Sequence, residues 1–269
     1  MNTLDKPAQV GLFVTCLVDM FRPSVGFATI KLLEAAGCQV SVPDAQTCCG
    51  QPAFNSGDRS TTQDIAKRTI EAFDGFEYVV GPSGSCIGML HHYVELFDEK
   101  DPWKARAESL KARAYEVTTF LTEVMPLNLA DLSLPIQATY HDSCAGLREL
   151  GIKQQPRELL AQVAGLTLNE MTESETCCGF GGTFCVKYPD ISNRMVSNKT
   201  EHIVASQATL LLGGDMGCLL NMAGKLKREG HAIEVRHVIE VLAGMTDEPA
   251  IGEAHYDLGQ PAQGVQHAN

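Results

Sequence analysis

The sequence contains 10 cysteines but no pair of them separated by two to four residues. Structural zinc sites commonly wrap one ion with such a pair, so the usual zinc-binding knuckle is excluded. Also missing are a Walker phosphate loop, a nucleophile elbow and a paired-carboxylate signal. No run of 18 or more apolar residues occurs, so no helical membrane span is expected. Met1–Val10 lacks a basic segment leading into an apolar stretch, so no secretory signal is expected. Positive charge is scarce: 21 Lys and Arg stand against 33 Asp and Glu, for a net charge of −12. That balance disfavours nucleic acid and anionic lipid and points to a protein partner. Many cysteines without a signal segment imply a reducing, cytoplasmic setting in which thiols serve as ligands and not as disulfides.

The cysteines follow a repeated plan. Cys16 leads to the vicinal pair Cys48-Cys49, followed by Gly50, and then to Cys86. Cys144 leads to Cys177-Cys178, followed by Gly179, and then to Cys218. The members of the second set lie 128, 129 and 132 residues after Cys16, Cys48 and Cys86. A period near 130 residues is that of a domain repeat. Two domains are expected, 1–124 and 125–245, with 246–269 as a mobile tail because apolar spacing disappears after Met245.

Each half alternates strand and helix. Val10–Thr15, Gln39–Val42 and Glu77–Val80 are expected strands, and Ser24–Ala36, Asp58–Phe73 and Cys86–Phe97 expected helices. Trp103–Arg113 and Val117–Val124 look helical and form the crossover, with 125–135 as linker. In the second half Ile136–Tyr140, Leu166–Asn169, Thr209–Leu212 and Ile233–Arg236 are expected strands. Pro156–Ala164, Pro189–Ser206 and His237–Leu242 are expected helices. This order predicts two tandem, similar α/β domains with mostly parallel sheets. Ligands in such sheets lie beyond the carboxyl ends of the strands, and the cysteines fall at that edge. Helix N-termini there favour nearby negative charge by roughly 0.3–1 kcal/mol each.

Groups of four soft thiolates suit iron–sulfur clusters or zinc. Adjacent cysteines reach two irons of one cluster more readily than one small ion, which favours iron–sulfur. Zinc remains the alternative, and a strained disulfide between neighbours is a third reading. Cys38 and Cys185 lie outside the repeat and are expected as buried or non-ligand thiols. His141 is expected near the second site, as a hydrogen-bond donor to sulfur, a proton carrier or a structural residue. His91 and His92 have no matched partner. Gly179, Gly181 and Gly182 form either a tight turn or a nest of N–H groups.

These residues resemble the CCG cysteine-rich domain, a duplicated iron–sulfur module. It occurs in heterodisulfide reductase, in glycolate oxidase iron–sulfur subunits and in the LutA/YkgE family of lactate utilization proteins. The resemblance covers about residues 9 to 244. Val14-Thr15-Cys16, Cys48 to Ala53, Cys177 to Phe184 and His237 to Leu242 look most like the LutA/YkgE branch. That branch implies an electron-transfer subunit of an L-lactate-oxidising complex, with a ferredoxin-type iron–sulfur protein and a third small subunit as partners. It implies one cluster per domain, held by Cys16, Cys48, Cys49 and Cys86 and by Cys144, Cys177, Cys178 and Cys218. The alternatives are a cluster-dependent thiol or disulfide reductase, a glycolate-type subunit, and a zinc-stabilised scaffold. Where the family pattern has the first cysteine of CxxC, this chain has Ser83 and Asp215. Each is expected to cap the following helix, with an oxygen ligand as the other reading. A carboxylate at Asp215 would give the second cluster the lower reduction potential.

Overall fold

The computed structural model describes residues 6–253. Residues 1–5 of the first expected domain and 254–269 of the expected tail lie outside the described residues. Strands β1 (Ala8–Leu12), β2 (Cys38–Ser41), β3 (Tyr78–Gly81) and β4 (Ala114–Glu116) form one sheet in the order β2-β1-β3-β4. Strands β5 (Gln137–His141), β6 (Thr167–Leu168), β7 (Leu210–Gly213) and β8 (Glu234–His237) form another in the order β6-β5-β7-β8. All pairings within both sheets are parallel. The two orders are one permutation, so the halves are similar α/β units.

β1 pairs with β2 on one side and with β3 on the other, and β5 stands likewise between β6 and β7. The chain therefore reverses its direction of travel across the sheet at β1 and again at β5. A crevice opens beyond the carboxyl ends of the strands at such a reversal. Cys16, Cys48-Cys49 and Cys86 follow β1, β2 and β3, and Cys144, Cys177-Cys178 and Cys218 follow β5, β6 and β7.

Three short elements differ from the sequence-based expectation. β4 lies between the two expected crossover helices and pairs with β3, Val79 opposite Ala114 and Gly81 opposite Glu116. Three residues are too few to show an alternating pattern. Helices also begin at the lone cysteines, Cys16–Phe21 and Cys144–Leu150. They are six and seven residues long, too short for apolar periodicity to register, and they are held by packing on the opposite half.

The halves do not bury separate cores. Phe13, Ile70, Phe73, Ile87 and Leu90 cluster within the first half. Leu211, Leu219, Met222 and Val235 cluster in the second, but Val18 and Val25 from the first half join them. A third cluster draws Val10, Leu32, Leu33 and Val80 together with Tyr140, Leu212, Val238 and Leu242. Each such side chain contributes roughly 1.5–3 kcal/mol on burial, so this shared core binds the halves strongly. A buried ion pair adds to it: Arg22 Nε lies 2.7 Å from Glu240 Oε1, which also accepts from Ser24 Oγ. Elsewhere a Cβ on Gly84 would sit 2.7 Å from Gly146 Cα, so backbone meets backbone where the helices Gly84–His92 and Cys144–Leu150 pack.

Residues 246–253, the first part of the expected tail, lie against β8. Ile251 N donates to Val235 O at 2.8 Å, Arg236 Nη1 to Glu248 O at 2.8 Å, and Ala250 and Ile251 are buried. Arginine contacts to backbone carbonyls carry much of this docking, and hydrophobic spacing does not report them.

Candidate metal centres

The structure brings the eight cysteines of the repeat into two groups of four. In the first, Cys16 adjoins Cys48, Cys48 adjoins Cys49 and Cys49 adjoins Cys86, each close enough to shift its neighbour's pKa. In the second, the same chain runs Cys144, Cys177, Cys178, Cys218. Cys38 and Cys185 join neither. Cys38 sits in the shared core, where burial pushes its thiol pKa up. Cys185 Sγ donates to Gly182 O.

The glycine after each vicinal pair has a backbone reason. Gly50 and Gly179 have φ of 86° and 84°, in the left-handed region that favours glycine. At Gly179 this turns the N–H back on Cys177 Sγ, 3.4 Å away. A Cβ at Gly179 would also meet Ser192 O at 2.7 Å. Cys86 and Cys218 lie in the first turns of the helices Gly84–His92 and Met216–Arg228, and Cys16 and Cys144 start theirs. All four therefore stand where backbone N–H groups favour an anionic ligand.

The four thiols of each group hold protons unequally. Hydrogen bonds from Cys16 and then Cys49 pull the Cys48 pKa down to about 2, against the effect of burial. Cys144 and then Cys178 do the same for Cys177, also to about 2. Those donors are pushed up in turn, first by the hydrogen bonds they give and then by burial. Four neighbouring soft donors in each half fit a cluster ligand set, and metal binding there would displace thiol protons.

The surroundings of the two groups differ. Beside the second stands His141, 1% exposed, with no hydrogen-bond partner on either ring nitrogen. Its ligand atom and those of Cys178 and Cys218 lie within 4.8 Å of one another. Burial, then the charge of Lys199, lowers its pKa to about 3. Lys199 is itself buried and donates to Glu173 O and, at 3.1 Å, to Ser174 O, in the loop before Cys177. Asp142 faces Arg157 through two hydrogen bonds of 2.8 and 2.9 Å. In the first half Phe13 takes the place of His141. Thr69 takes the place of Lys199, counting from Ile65 on Gly50 and Met195 on Gly179.

A cavity of about 370 Å³ lies between the groups, lined by Cys16, Cys48, Cys49 and Cys86 and by Cys144 and Cys218. Ser83, Ser85 and Asp215 also line it. Ser83 caps its helix as expected, accepting from Cys86 N. Asp215 does not cap its own helix. Its carboxylate instead accepts from Ser83 Oγ at 2.5 Å and Ser85 Oγ at 2.7 Å, across the interface. It is therefore tied to the first half's helix and is not a feature of the second site alone. Behind it, fully buried Glu116 has a pKa raised to about 7, chiefly by burial, with Asp215 adding to the rise. Glu116 caps the next turn through Thr118 and Thr119, and His237 holds the matching place at the end of β8, where Ile239 N donates to it.

Several of these residues carry no motif. Tyr93 Oη donates to Cys49 O and Asn221 Nδ2 to Cys178 O, fixing the two vicinal pairs. Lys199 did leave a signal: it interrupts the buried face formed by Ser192, Val196 and Ile203 in the helix Pro189–Ala205. His91 bonds Ala114 O, and His92 faces Glu95 and Glu149, away from this role.

Comparison with known proteins agrees with this duplicated plan. A model described as the CCG cysteine-rich domain matches residues 10–91 and again 138–223. Lactate utilization protein A of Halalkalibacterium halodurans is 49% identical over 234 residues, covering 87% of this chain and 96% of that protein. That of Shouchella clausii is 50% identical over 234 residues, covering 87% and 98%. A crystal structure of a hypothetical protein from Helicobacter pylori superposes with a TM-score of 0.61 at 12% identity. It covers 93% of this chain, which spans 50% of that one, and it shares the fold alone. With both copies matched in one sequence and relatives this similar over almost their whole length, the chain belongs to the CCG cysteine-rich domain family, in the branch of the lactate utilization A proteins.

Proposed function

We propose that this chain acts in lactate utilization as an iron–sulfur electron-transfer subunit of a complex that oxidises L-lactate to pyruvate. Each half holds one cluster, the first through Cys16, Cys48, Cys49 and Cys86, the second through Cys144, Cys177, Cys178 and Cys218. The observation that carries this reading is the grouping of four cysteines in each half beside one cavity between the halves, with four from the first half and two from the second in its lining. Bound clusters would supply one-electron redox chemistry. The chain's own residues orient the thiolates, exclude water through the shared core, and set the charge around each site. Tyr93 and Asn221 fix the vicinal cysteines, and Ser83, Ser85 and Asp215 hold the wall between the sites.

A ferredoxin-type iron–sulfur protein and a third small subunit are the proposed partners, and the cytoplasm the proposed setting. Exposed apolar side chains support a protein partner. Met20 and Phe21 project from the helix that starts at Cys16, and Val186 and Tyr188 follow the cavity-lining Gly181 and Gly182. No helix among the described residues is long and apolar enough to cross a membrane.

The test is complementation. A host lacking its own lactate utilization protein A should regain growth on L-lactate when it makes this chain. Anaerobically purified protein should contain iron and acid-labile sulfide in place of zinc. A colourless zinc protein, or failure to restore growth by a stably expressed chain, would reject the reading. A second reading, direct reduction of a small disulfide in the cavity, is favoured by its lining of cysteines from both halves. It requires that such a disulfide reoxidise the reduced protein stoichiometrically.

A further inference from the structure

The geometry points to His141 as a nitrogen ligand of the second metal centre, making that centre a mixed imidazole–thiolate site while the first is held by thiolates alone. This rests on the iron–sulfur reading above and adds a donor to it. Three observations carry it. His141 ends β5, so the strand aims its ring at the sheet edge where the cysteines gather. Its ligand atom shares a space within 4.8 Å with those of Cys178 and Cys218, the spacing of donors around one ion. Both its ring nitrogens are buried without a hydrogen-bond partner. An unmet buried polar group costs roughly 1–3 kcal/mol. A metal bond removes that cost on one nitrogen.

The first half provides an internal control. Phe13 occupies the corresponding place there, fully buried against Phe73. The same scaffold thus tolerates a ring with no donor atom beside the first group of cysteines. The imidazole is an addition to the second group, not a demand of the fold. Each half keeps four cysteines, so the imidazole adds a neutral donor to the second group without changing its number of anionic ones.

Full-length protein, labelled with 15N-histidine and reconstituted anaerobically with iron and sulfide, tests this by pulsed electron paramagnetic resonance. One of the two centres should show strong nitrogen coupling. His141→Phe, which copies the first half, should abolish that coupling while leaving the other centre unchanged. His141→Gln serves as a second variant, and the labelled parent needs no substitution at all. Iron bound in both halves with no strong nitrogen coupling would overturn the ligand and leave the cluster reading intact, as would coupling that survives in His141→Phe. Weak coupling alone would make His141 a hydrogen-bond donor and also overturn it. A chain that takes up no iron would overturn both.

Discussion

The two halves carry the same four-cysteine frame in different electrostatic surroundings. Around the first group the chain places Phe13 and Thr69, around the second His141 and Lys199. The repeated parts are those that backbone geometry requires: strand ends, the left-handed glycine after each vicinal pair, and the helix starts. The divergent parts are the side chains that stand beside that frame.

The largest test of that comparison removes a ligand from each half in turn. Cys49→Ala and Cys178→Ala should each abolish the centre of their own half, leaving about half the iron, because ligand loss couples to local folding. Iron and sulfide analysis reads this. If either variant lost both centres while the chain stayed folded, the halves would not be separate sites.

Next in size is the pair that ends β4 and β8, Glu116 and His237. Glu116 has its pKa raised from 4.5 to about 7 by burial. A raised carboxyl pKa means that stability is fully present below pH 4.5 and is lost as pH rises through 7. The full loss corresponds to about 3 kcal/mol as an order of magnitude. Glu116→Gln should flatten the stability profile across that window, measured by urea unfolding at stepped pH. An unchanged slope would mean that Glu116 is hydrated.

A smaller effect is expected at Lys199. Lys199→Met removes a buried cation near the second cysteines and should lower the potential of that centre by on the order of 50 mV, equivalent to about 1 kcal/mol. The first centre should not move in the same redox titration. An equal shift at both would show that the field is not local. Smallest of all, Cys38→Ala should leave iron content unchanged and cost about 1 kcal/mol of stability. Loss of iron would make Cys38 a ligand.

Much of this was legible in the sequence because it depends on covalent spacing. The offsets of Cys144, Cys177 and Cys218 exposed the duplication, and strand–helix alternation exposed the parallel sheets. β4 escaped because three residues cannot display a period. The helices from Cys16 and Cys144 escaped because contacts with the opposite half, not their own amphipathicity, hold them. Asp215 was expected as a helix cap, a local role. Its actual partners, Ser83 and Ser85, are about 130 residues away in sequence, and no local rule reaches that far. Tyr93 and Asn221 act on cysteine carbonyls in the same way.

Ser83 and Asp215 hold the same position in the two halves, and they touch each other. A position that meets its own copy lies on the axis relating the halves. In an ancestral homodimer of a single half, that axis would face each residue with itself. Two aspartates there would force like charges together, and two serines would leave the centre uncharged. Fusing two copies into one gene frees the positions to differ, so that one hydroxyl meets one carboxylate. This pair is thus a contact that a symmetric dimer of identical halves could not make.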